Sequence, residues 1–323
     1  MNDDSRPRAD VSVIMPAYNN QDSIVAALTS IAAQTTLPHE VIVVDDGSTD
    51  GTIAAVRSMH GRMNGVRLRL FRQQNNGAGA ARNRAIWAST GTWLAFLDAD
   101  DQWLPTKLER SMAVNFAQDL LMSCHNLYGV GKNGEHVIDS RSRWASNPGD
   151  PYGTLFLRGF ISSSTVVVRR DVTVAVGGFD TGLRSAQDYE LWLAILDRAG
   201  TRFVCFDEPL LRYTLAEDGI TSKVGRKIAC SLAILRRHMG ILKRHGGAVI
   251  VPVLTRTAII QVEAWRNYRA QGRFLAALAQ LALLPWRLLE MLVRLPFADG
   301  RRPDFLSRLI PAEEVDLTAD PTP

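Results

Sequence analysis

Trp93-Leu94-Ala95-Phe96-Leu97-Asp98-Ala99-Asp100-Asp101 decides how this 323-residue chain is read. Five apolar residues run straight into three carboxylates within four positions. The run reads as a buried strand, and acids clustered where it ends repel one another and resist desolvation. A hard divalent cation, Mg²⁺ or Mn²⁺, resolves that conflict, because such ions take one or two protein carboxylates and complete their shell with water and substrate phosphate. A solvated acidic turn is the alternative, and a D-x-D alone does not choose between them.

The residues upstream repeat one pattern three times. Val11 to Met15 reads as a strand closed by Pro16-Ala17-Tyr18-Asn19-Asn20, since proline cannot donate to a sheet ladder. Ile24, Leu28 and Ile31 then recur at helical spacing, with Asp22 near the helix start. Glu40 to Val44 is a continuous β-branched strand ending in Asp45-Asp46-Gly47-Ser48-Thr49-Asp50-Gly51-Thr52, where Ser48 or Thr49 can cap the next helix. Val66 to Phe71 is a third strand, and Asn75-Asn76-Gly77-Ala78-Gly79 turns into an alanine-rich helix. Strands alternating with helices predict a right-handed, mostly parallel α/β sheet. Ligands of such sheets bind beyond the carboxyl ends of the strands, so Pro16-Ala17-Tyr18, Asp45-Asp46 and Asp98-Ala99-Asp100 are expected on one rim.

Downstream, Pro105 suits a first helical position, and Leu104, Leu108, Met112 and Phe116 continue at i+4. Residues 129–155, rich in Gly, Asn, Ser and Asp, read as a long variable loop of the kind that shapes a binding surface. Ser164 to Val168 is a strand, Gly177-Gly178-Phe179-Asp180 a turn, and Gln187-Asp188-Tyr189-Glu190 the start of a helix. The short strands Phe203–Phe206 and Leu210–Leu215 flank Pro209.

Length allows one large or two modest domains. The three cysteines, Cys124, Cys205 and Cys230, show no C-x-x-C spacing and fit a reducing cytosol better than a disulfide framework. Met1 to Asp10 lacks the apolar core of a signal peptide, and no uninterrupted apolar run reaches the ~18 residues of a membrane span. None of the six histidines sits in a spaced pair that suggests zinc. The absence of G-x-G-x-x-G after the first strand, and of G-x-x-x-x-G-K-[ST], argues against dinucleotide oxidoreductases and P-loop NTPases.

Together, Val13-Ile14-Met15-Pro16-Ala17-Tyr18-Asn19, Val43 to Thr52, Asn76 to Asn83, Phe96 to Asp101, and Gly177-Gly178-Phe179-Asp180 followed by Gln187-Asp188 resemble glycosyltransferase family 2. The resemblance covers about residues 11–222. It implies a GT-A fold, with a nucleotide-sugar half over 11–102 and an acceptor half over 103–222. It also implies an inverting transfer from a nucleotide-diphosphate sugar, most simply a UDP-sugar, to a hydroxyl of a surface glycan or lipid-linked acceptor. In that reading Pro16, Ala17 and Tyr18 flank the nucleoside, and Asp45 or Asp46 accepts hydrogen bonds from base or ribose. Gly77 and Asp98 complete the donor set, and Arg82 grips the diphosphate. Asp100 and Asp98 bind Mn²⁺ or Mg²⁺, with Asp101 in support. Asp188 is the general base, a role that typically contributes ~10²–10⁴-fold. Gln187 stands where the family usually has Glu, so it brings an uncharged contact to the acceptor. Relatives often carry a histidine near Leu210 to Ala216; Ala216 stands about there, which thins the metal shell. The Gln-x-x-Arg-Trp motif of processive synthases is absent, favouring one sugar per encounter. A nucleotidyltransferase of similar plan would need a Gly-rich basic loop after the first strand, which is also absent. A degenerate, non-catalytic nucleotide-sugar scaffold is the remaining alternative.

The formal net charge is +4, but residues 223–302 hold fifteen Lys or Arg against Glu263, Glu290 and Asp299, a local +12 on an otherwise acidic chain. Ile228, Leu232, Leu235, Met239 and Leu242 mark a helical stripe with Arg236, Arg237, Lys243 and Arg244 off it. Phe274 to Leu295 is apolar and interrupted at Pro285. The segment reads as an in-plane helix on an anionic membrane, on the inner face of the cell membrane, or as a hairpin packed on the catalytic domain or on a second subunit of a homodimer. Nucleic acid is not expected as a partner. Residues 1–10 and 303–323 are expected to be flexible.

Overall fold

The computed structural model describes residues 6–132, 134–198, 200–215, 224–244 and 249–318. Strand β1 (Arg8–Ala17) leads through α1 (Ile24–Ala32), β2 (Leu37–Asp45), α2 (Thr52–Ser58), β3 (Arg67–Gln73) and α3 (Ala78–Ala88) to β4 (Trp93–Phe96), the strand that opens the acidic cluster. β1 pairs in parallel with both β2 and β4, and β2 with β3. The strand order therefore turns back at β1, opening a crevice at its carboxyl end. The registers Ala17 to Asp45 and Ile14 to Phe96 bring Asp45 and the acids after Phe96 to that crevice.

The chain continues through β5 (Gln102–Trp103), α4 (Lys107–Ala117), β6 (Met122–His125), β7 (Leu127–Gly131), β8 (Gly134–Ile138), α5 (Ser140–Ala145) and α6 (Pro151–Arg158). Next come β9 (Val167–Arg169), α7 (Arg170–Ala175), α8 (Gln187–Leu196), β10 (Phe203–Phe206) and β11 (Leu211–Thr214). Three long helices follow, α9 (Val224–Arg244), α10 (Ile250–Ala270) and α11 (Phe274–Arg294), then β12 (Ala312–Val315). Among the described residues the main sheet runs β10-β6-β9-β4-β1-β2-β3-β12, and β5-β11-β7-β8 forms a second sheet. β9 is antiparallel to both β4 and β6.

Side chains of β1, β2 and β4 alternate between two cores. Ile14, Ile42, Val44, Leu94 and Phe96 face α3, α6, α8 and α9. Val13, Met15, Val41, Val43, Ala95 and Leu97 face α1, α2 and α4. That period of two is why these strands read as continuous apolar runs. Glu40 is the exception within β2. It is fully buried, accepting from Ser12 Oγ at 2.8 Å and from Thr90 N and Oγ1 at 2.8 and 2.7 Å.

Several expectations change. Residues 129–155 are not one loop: β7 and β8 pair antiparallel, and Asp139 and Asp150 cap α5 and α6 through the Ser142 and Gly153 amides. Polar cap and hairpin residues resemble loop composition, which explains the misreading. At the start of the chain, β1 already includes Arg8. Of the tail, residues 312–315 form β12, antiparallel on β3, where Arg69 bonds Glu314 at 2.8 Å. An acidic strand thus covers an edge carrying Arg67, Arg69 and Arg72, a pairing invisible to local composition. Neither Ser48 nor Thr49 caps α2; Asp50 Oδ1 accepts from Thr52 N instead. Pro285 does not interrupt α11. Phe274–Phe297 is also long and apolar enough to cross a membrane, although no uninterrupted apolar run suggested it.

The basic segment is divided. Leu232, Ile234, Leu235 and Met239 of α9 and Val253 and Ile260 of α10 join the core shared with β4 and α8. α11 packs on these helices yet leaves Leu275, Trp286, Leu289 and Val293 exposed. Arg237, expected on the outer face, points inward. It bonds Asp180 and the fully buried Glu190, each at 2.7 Å, and Glu190 also accepts from Arg302 Nη2 at 2.8 Å.

Two buried histidines set an acid limit. Burial, aided by the charge of Lys107, holds His125 down to about 3, and burial with Arg237 does the same to His238. Unfolding returns both to an ordinary value near 6.5, so below that pH the unfolded chain binds more protons than the native one. Stability is expected to fall from about pH 6.5 towards about pH 3, read as urea midpoints. A His125→Gln/His238→Gln variant with an unchanged slope over that range would refute this assignment.

Candidate active site

The crevice at the end of β1 is built by two interlocked loops. Asp46 N donates to Ala17 O at 2.8 Å, Asn19 N to Ser48 Oγ at 2.9 Å, and Thr49 N to Asn19 Oδ1 at 2.9 Å. Asn19 adopts the left-handed conformation (φ 53°), which Asn tolerates better than most residues. Pro16 and Ala17 are buried in this wall, while the Tyr18 side chain is 48% exposed beside it.

The paired acids after β2 have different surroundings. Asp45 is fully buried; its Oδ2 accepts from Ser48 N at 3.2 Å and faces Arg72 Nε at 3.7 Å, while Oδ1 has no protein partner. Asp46 Oδ1 accepts from Gln73 Nε2 at 2.8 Å and Asn76 N at 2.9 Å, and its Oδ2 from Gly77 N at 2.7 Å. Asp46 therefore shapes the turn before α3 rather than reaching outward. Gly77 caps α3 at φ 91°, a conformation that side chains rarely adopt, and a methyl there would lie 3.2 Å from Arg184 Nη1.

Arg82 is not a solvated helix residue. It is 6% exposed, bonds Asp98 Oδ1 at 2.5 Å and lies 5.3 Å from the Phe179 ring centre. Burial works against its charge, but Asp98, Asp188 and Asp100 outweigh burial and hold its pKa above the ordinary arginine value. The same set acts on Tyr213 of β11, whose phenol is pushed up by burial and by Asp101, Asp98, Asp188 and Asp100. Residues from β4, α8 and β11 thus converge electrostatically on one point.

The three acids of the opening stretch separate by role. Asp101 is buried, accepting from Ser164 Oγ at 2.6 Å and Thr214 N at 3.1 Å, and burial with the charge of Asp98 raises its pKa well above normal. It ties the acidic turn to β11. Asp98 offers its carboxylate to Arg82 and its N–H to Ser164 Oγ at 3.1 Å. Among the described residues the Asp100 carboxylate is bonded only by its own backbone amide, and burial and Asp98 raise its pKa. No group of three or more His, Cys, Asp or Glu side chains among the described residues could hold a metal. A cation here would rest on Asp98 and Asp100 and on groups brought by a ligand, as Mg²⁺ and Mn²⁺ commonly do. Its charge would relieve the repulsion that now raises Asp100. The residues present fit such an ion. Ala216 lies outside the described residues.

Asp188 stands in the first turn of α8, behind Ala186, whose left-handed φ of 57° is strained for a residue with a β-carbon. Its Oδ2 accepts from Ser163 Oγ at 3.2 Å and its Oδ1 from Tyr189 N at 2.8 Å. Gln187 turns the other way. It is 6% exposed, and a methyl on Gly79 would lie 3.1 Å from its Cγ, so its side chain packs against α3. Asn83 clasps the Phe179 backbone, donating to its carbonyl at 2.9 Å and accepting from its N–H at 2.7 Å. This clasp places the Gly177-Gly178-Phe179-Asp180 turn against α3; a β-carbon on Gly178 (φ 72°) would come within 2.6 Å of Asn83 Oδ1. The sequence assigns no role to Asn83, Ser163, Ser164 or Tyr213, although Asn83 and Tyr213 lie inside stretches that it singles out.

The family model described as glycosyl transferase family 2 matches residues 12–186. The chain belongs to glycosyl transferase family 2. It is a glycosyltransferase, which sets aside the nucleotidyltransferase and scaffold alternatives. AmsB of Erwinia amylovora, named an amylovoran biosynthesis glycosyltransferase, is 30% identical to this transferase over 285 residues, 82% of this chain and 87% of AmsB. WfaP of Escherichia coli, named a UDP-Glc:alpha-D-GlcNAc-diphosphoundecaprenol beta-1,3-glucosyltransferase, is 32% identical over 191 residues, covering 58% and 70% of the two chains. S. aureus TarS 1–349 in complex with UDP-GlcNAc superposes with a TM-score of 0.59 at 21% identity, covering 93% of this chain and 89% of TarS. The mannosyltransferase PcManGT from Pyrobaculum calidifontis, in complex with GDP-Man and Mn²⁺, gives the same TM-score and identity over 88% of this chain and 79% of its own. These neighbours show that the family 2 transferase has the GT-A fold, with three C-terminal helices added to the sheet.

Proposed function

We propose that this transferase moves a sugar, with inversion, from a UDP-sugar to a hydroxyl of a surface-glycan or lipid-linked acceptor. The observation that carries the reading is the convergence of Asp98, Asp100 and Asp188 around the buried Arg82 at the strand-end crevice. Asp45 Oδ1, buried without a donor, is costly as it stands, and the imide N–H of uracil would satisfy it. Tyr18, half exposed beside it, supplies a face for the base. WfaP is named for UDP-Glc and TarS was crystallised with UDP-GlcNAc, which favours uracil over the guanine of the GDP-Man held by PcManGT.

Asp188 accepts the proton of the acceptor hydroxyl at Oδ2, with Ser163 fixing the carboxylate's orientation. Arg82 holds Asp98 in place and adds positive charge next to the leaving diphosphate. Mn²⁺ or Mg²⁺ held by Asp100 and Asp98 would neutralise charge on that diphosphate. Residues 223–302 place the enzyme at an anionic membrane surface on the cytoplasmic side, where a lipid-linked acceptor is presented.

The test is release of UDP from UDP-sugars with and without Mn²⁺. Stimulation by the ion is expected, with loss in Asp100→Ala of about tenfold or more, the scale of a removed charge-stabilising group. Equal release by Asp100→Ala and the parent chain would sink the metal assignment. Stronger binding of GDP than of UDP would overturn the uracil reading.

A further inference from the structure

Three arginines meet one carboxylate where α11 crosses α9. Glu290 Oε1 accepts from Arg236 Nη2 at 2.5 Å and from Arg294 Nε at 3.0 Å, and Oε2 from Arg287 Nη1 at 2.7 Å. One anion cannot balance three cations, so the cluster keeps a surplus of positive charge at a partly exposed position. Hydrogen bonds from Arg287 and Arg236 overcome burial and keep the Glu290 pKa low, so the cluster stays ionised.

Beside it opens a groove of about 570 Å³ lined by Met239, Trp286, Leu289, Val293 and Phe297, with Arg236 and Arg294 on its lip. Trp286, Leu289, Val293 and Phe297 follow i, i+3, i+7 and i+11 and form one stripe. The stripe continues back through Leu278 and Leu275, the latter 85% exposed. At 1.5 Å per residue it runs roughly 33 Å, and an exposed apolar stripe rimmed by charge marks an interaction surface.

The charge distribution selects the occupant. A second copy would press one arginine-rich face of α9 and α11, with Arg236, Arg287 and Arg294 around a single Glu290, against another, a like-charge arrangement that costs affinity. An anionic bilayer meets the same segment with opposite charge and accepts the apolar stripe.

We propose that the groove between α9 and α11 binds an anionic phospholipid of the bilayer, its phosphate on the guanidinium groups around Glu290 and its acyl chain along Trp286, Leu289, Val293 and Phe297. This rests on the membrane-facing reading of residues 223–302 and adds to it a headgroup site. Arg237, which follows Arg236 on α9, bonds Glu190 of α8 and so ties the helix carrying the groove to the helix carrying Asp188.

Two measurements on the full-length chain test it. The first is flotation with vesicles of phosphatidylcholine alone or mixed with phosphatidylglycerol. The second is binding of monomeric dihexanoyl-phosphatidylglycerol, followed by the tryptophan fluorescence that Trp286→Phe removes. Expected are flotation with the mixed vesicles and saturable binding of the short lipid. In Arg236→Gln/Arg294→Gln the short-lipid affinity should fall about tenfold or more, the scale of two lost cation–phosphate contacts. Arg226→Gln/Arg266→Gln, which removes equal charge from exposed positions off the groove, should keep it. Leu289→Ser/Val293→Ser changes only exposed side chains and should weaken binding with unchanged thermal unfolding, which separates loss of the site from loss of fold. Equal flotation and equal short-lipid binding by the lip and control variants would overturn the headgroup site and leave the membrane reading standing. No flotation of the parent chain on either vesicle, with a dimer by light scattering, would overturn both and assign the stripe to a second copy.

Discussion

Asp188→Asn is expected to lower sugar transfer by roughly 10²–10⁴-fold while UDP binding stays near that of the parent chain. The amide keeps the shape of the carboxylate, and its oxygen can still accept from Tyr189 N or Ser163 Oγ, so the start of α8 should hold. What it loses is the ability to take a proton from the acceptor hydroxyl. Product formation measured with calorimetric UDP binding separates the two effects. Transfer at the parent rate would show that the proton leaves by another route. A matched fall in binding and transfer would make Asp188 part of the donor pocket instead.

The largest expected loss of stability is at Glu190. This carboxylate is fully buried and serves both Arg237 and Arg302, and Arg302 also donates to the carbonyls of Val176 and Gly178. Removing it leaves Arg302 without this carboxylate and Arg237 with Asp180 alone inside a buried ionic network, so Glu190→Ala should cost roughly 3–5 kcal/mol. That is a large share of the ~5–15 kcal/mol holding an ordinary domain together. Arg110 and Glu208 pair at the surface, each side chain more than 40% exposed, and Glu208→Ala should cost about 1 kcal/mol or less. Urea midpoints of the two variants give the comparison. Similar midpoints would mean that the Glu190 network contributes no more than a surface pair. The same network joins the residues after α11 to α8, so a break after residue 222 would strip α9 and α10 from a shared core.

Local pattern was enough for the stretch from β1 to β4. The alternation of β1, β2 and β4 between two cores, the turn at Gly47 and the acids after Phe96 are short-range signals, whereas the stop expected at Pro16 is not one, since β1 runs through it to Ala17 with Pro16 opposite Val44. Residues 129–155 and the tail were misread because cap, hairpin and edge-strand residues have loop-like composition, and their partners lie far along the chain.

The sequence by itself determined the family, the parallel α/β core and the gathering of Asp45, Asp98 and Asp188 at strand and helix ends, because backbone periodicity and turn chemistry are local. Only the tertiary structure could assign work to neighbouring acids of identical chemistry. Asp46 holds a turn while Asp45 keeps an acceptor unpaired, and Asp101 is locked to Ser164 and Thr214 while the Asp100 carboxylate, among the described residues, is bonded only by its own amide. The physical reason is that a carboxylate's role is set by the donors and charges around it, and here those come from residues up to 113 positions away.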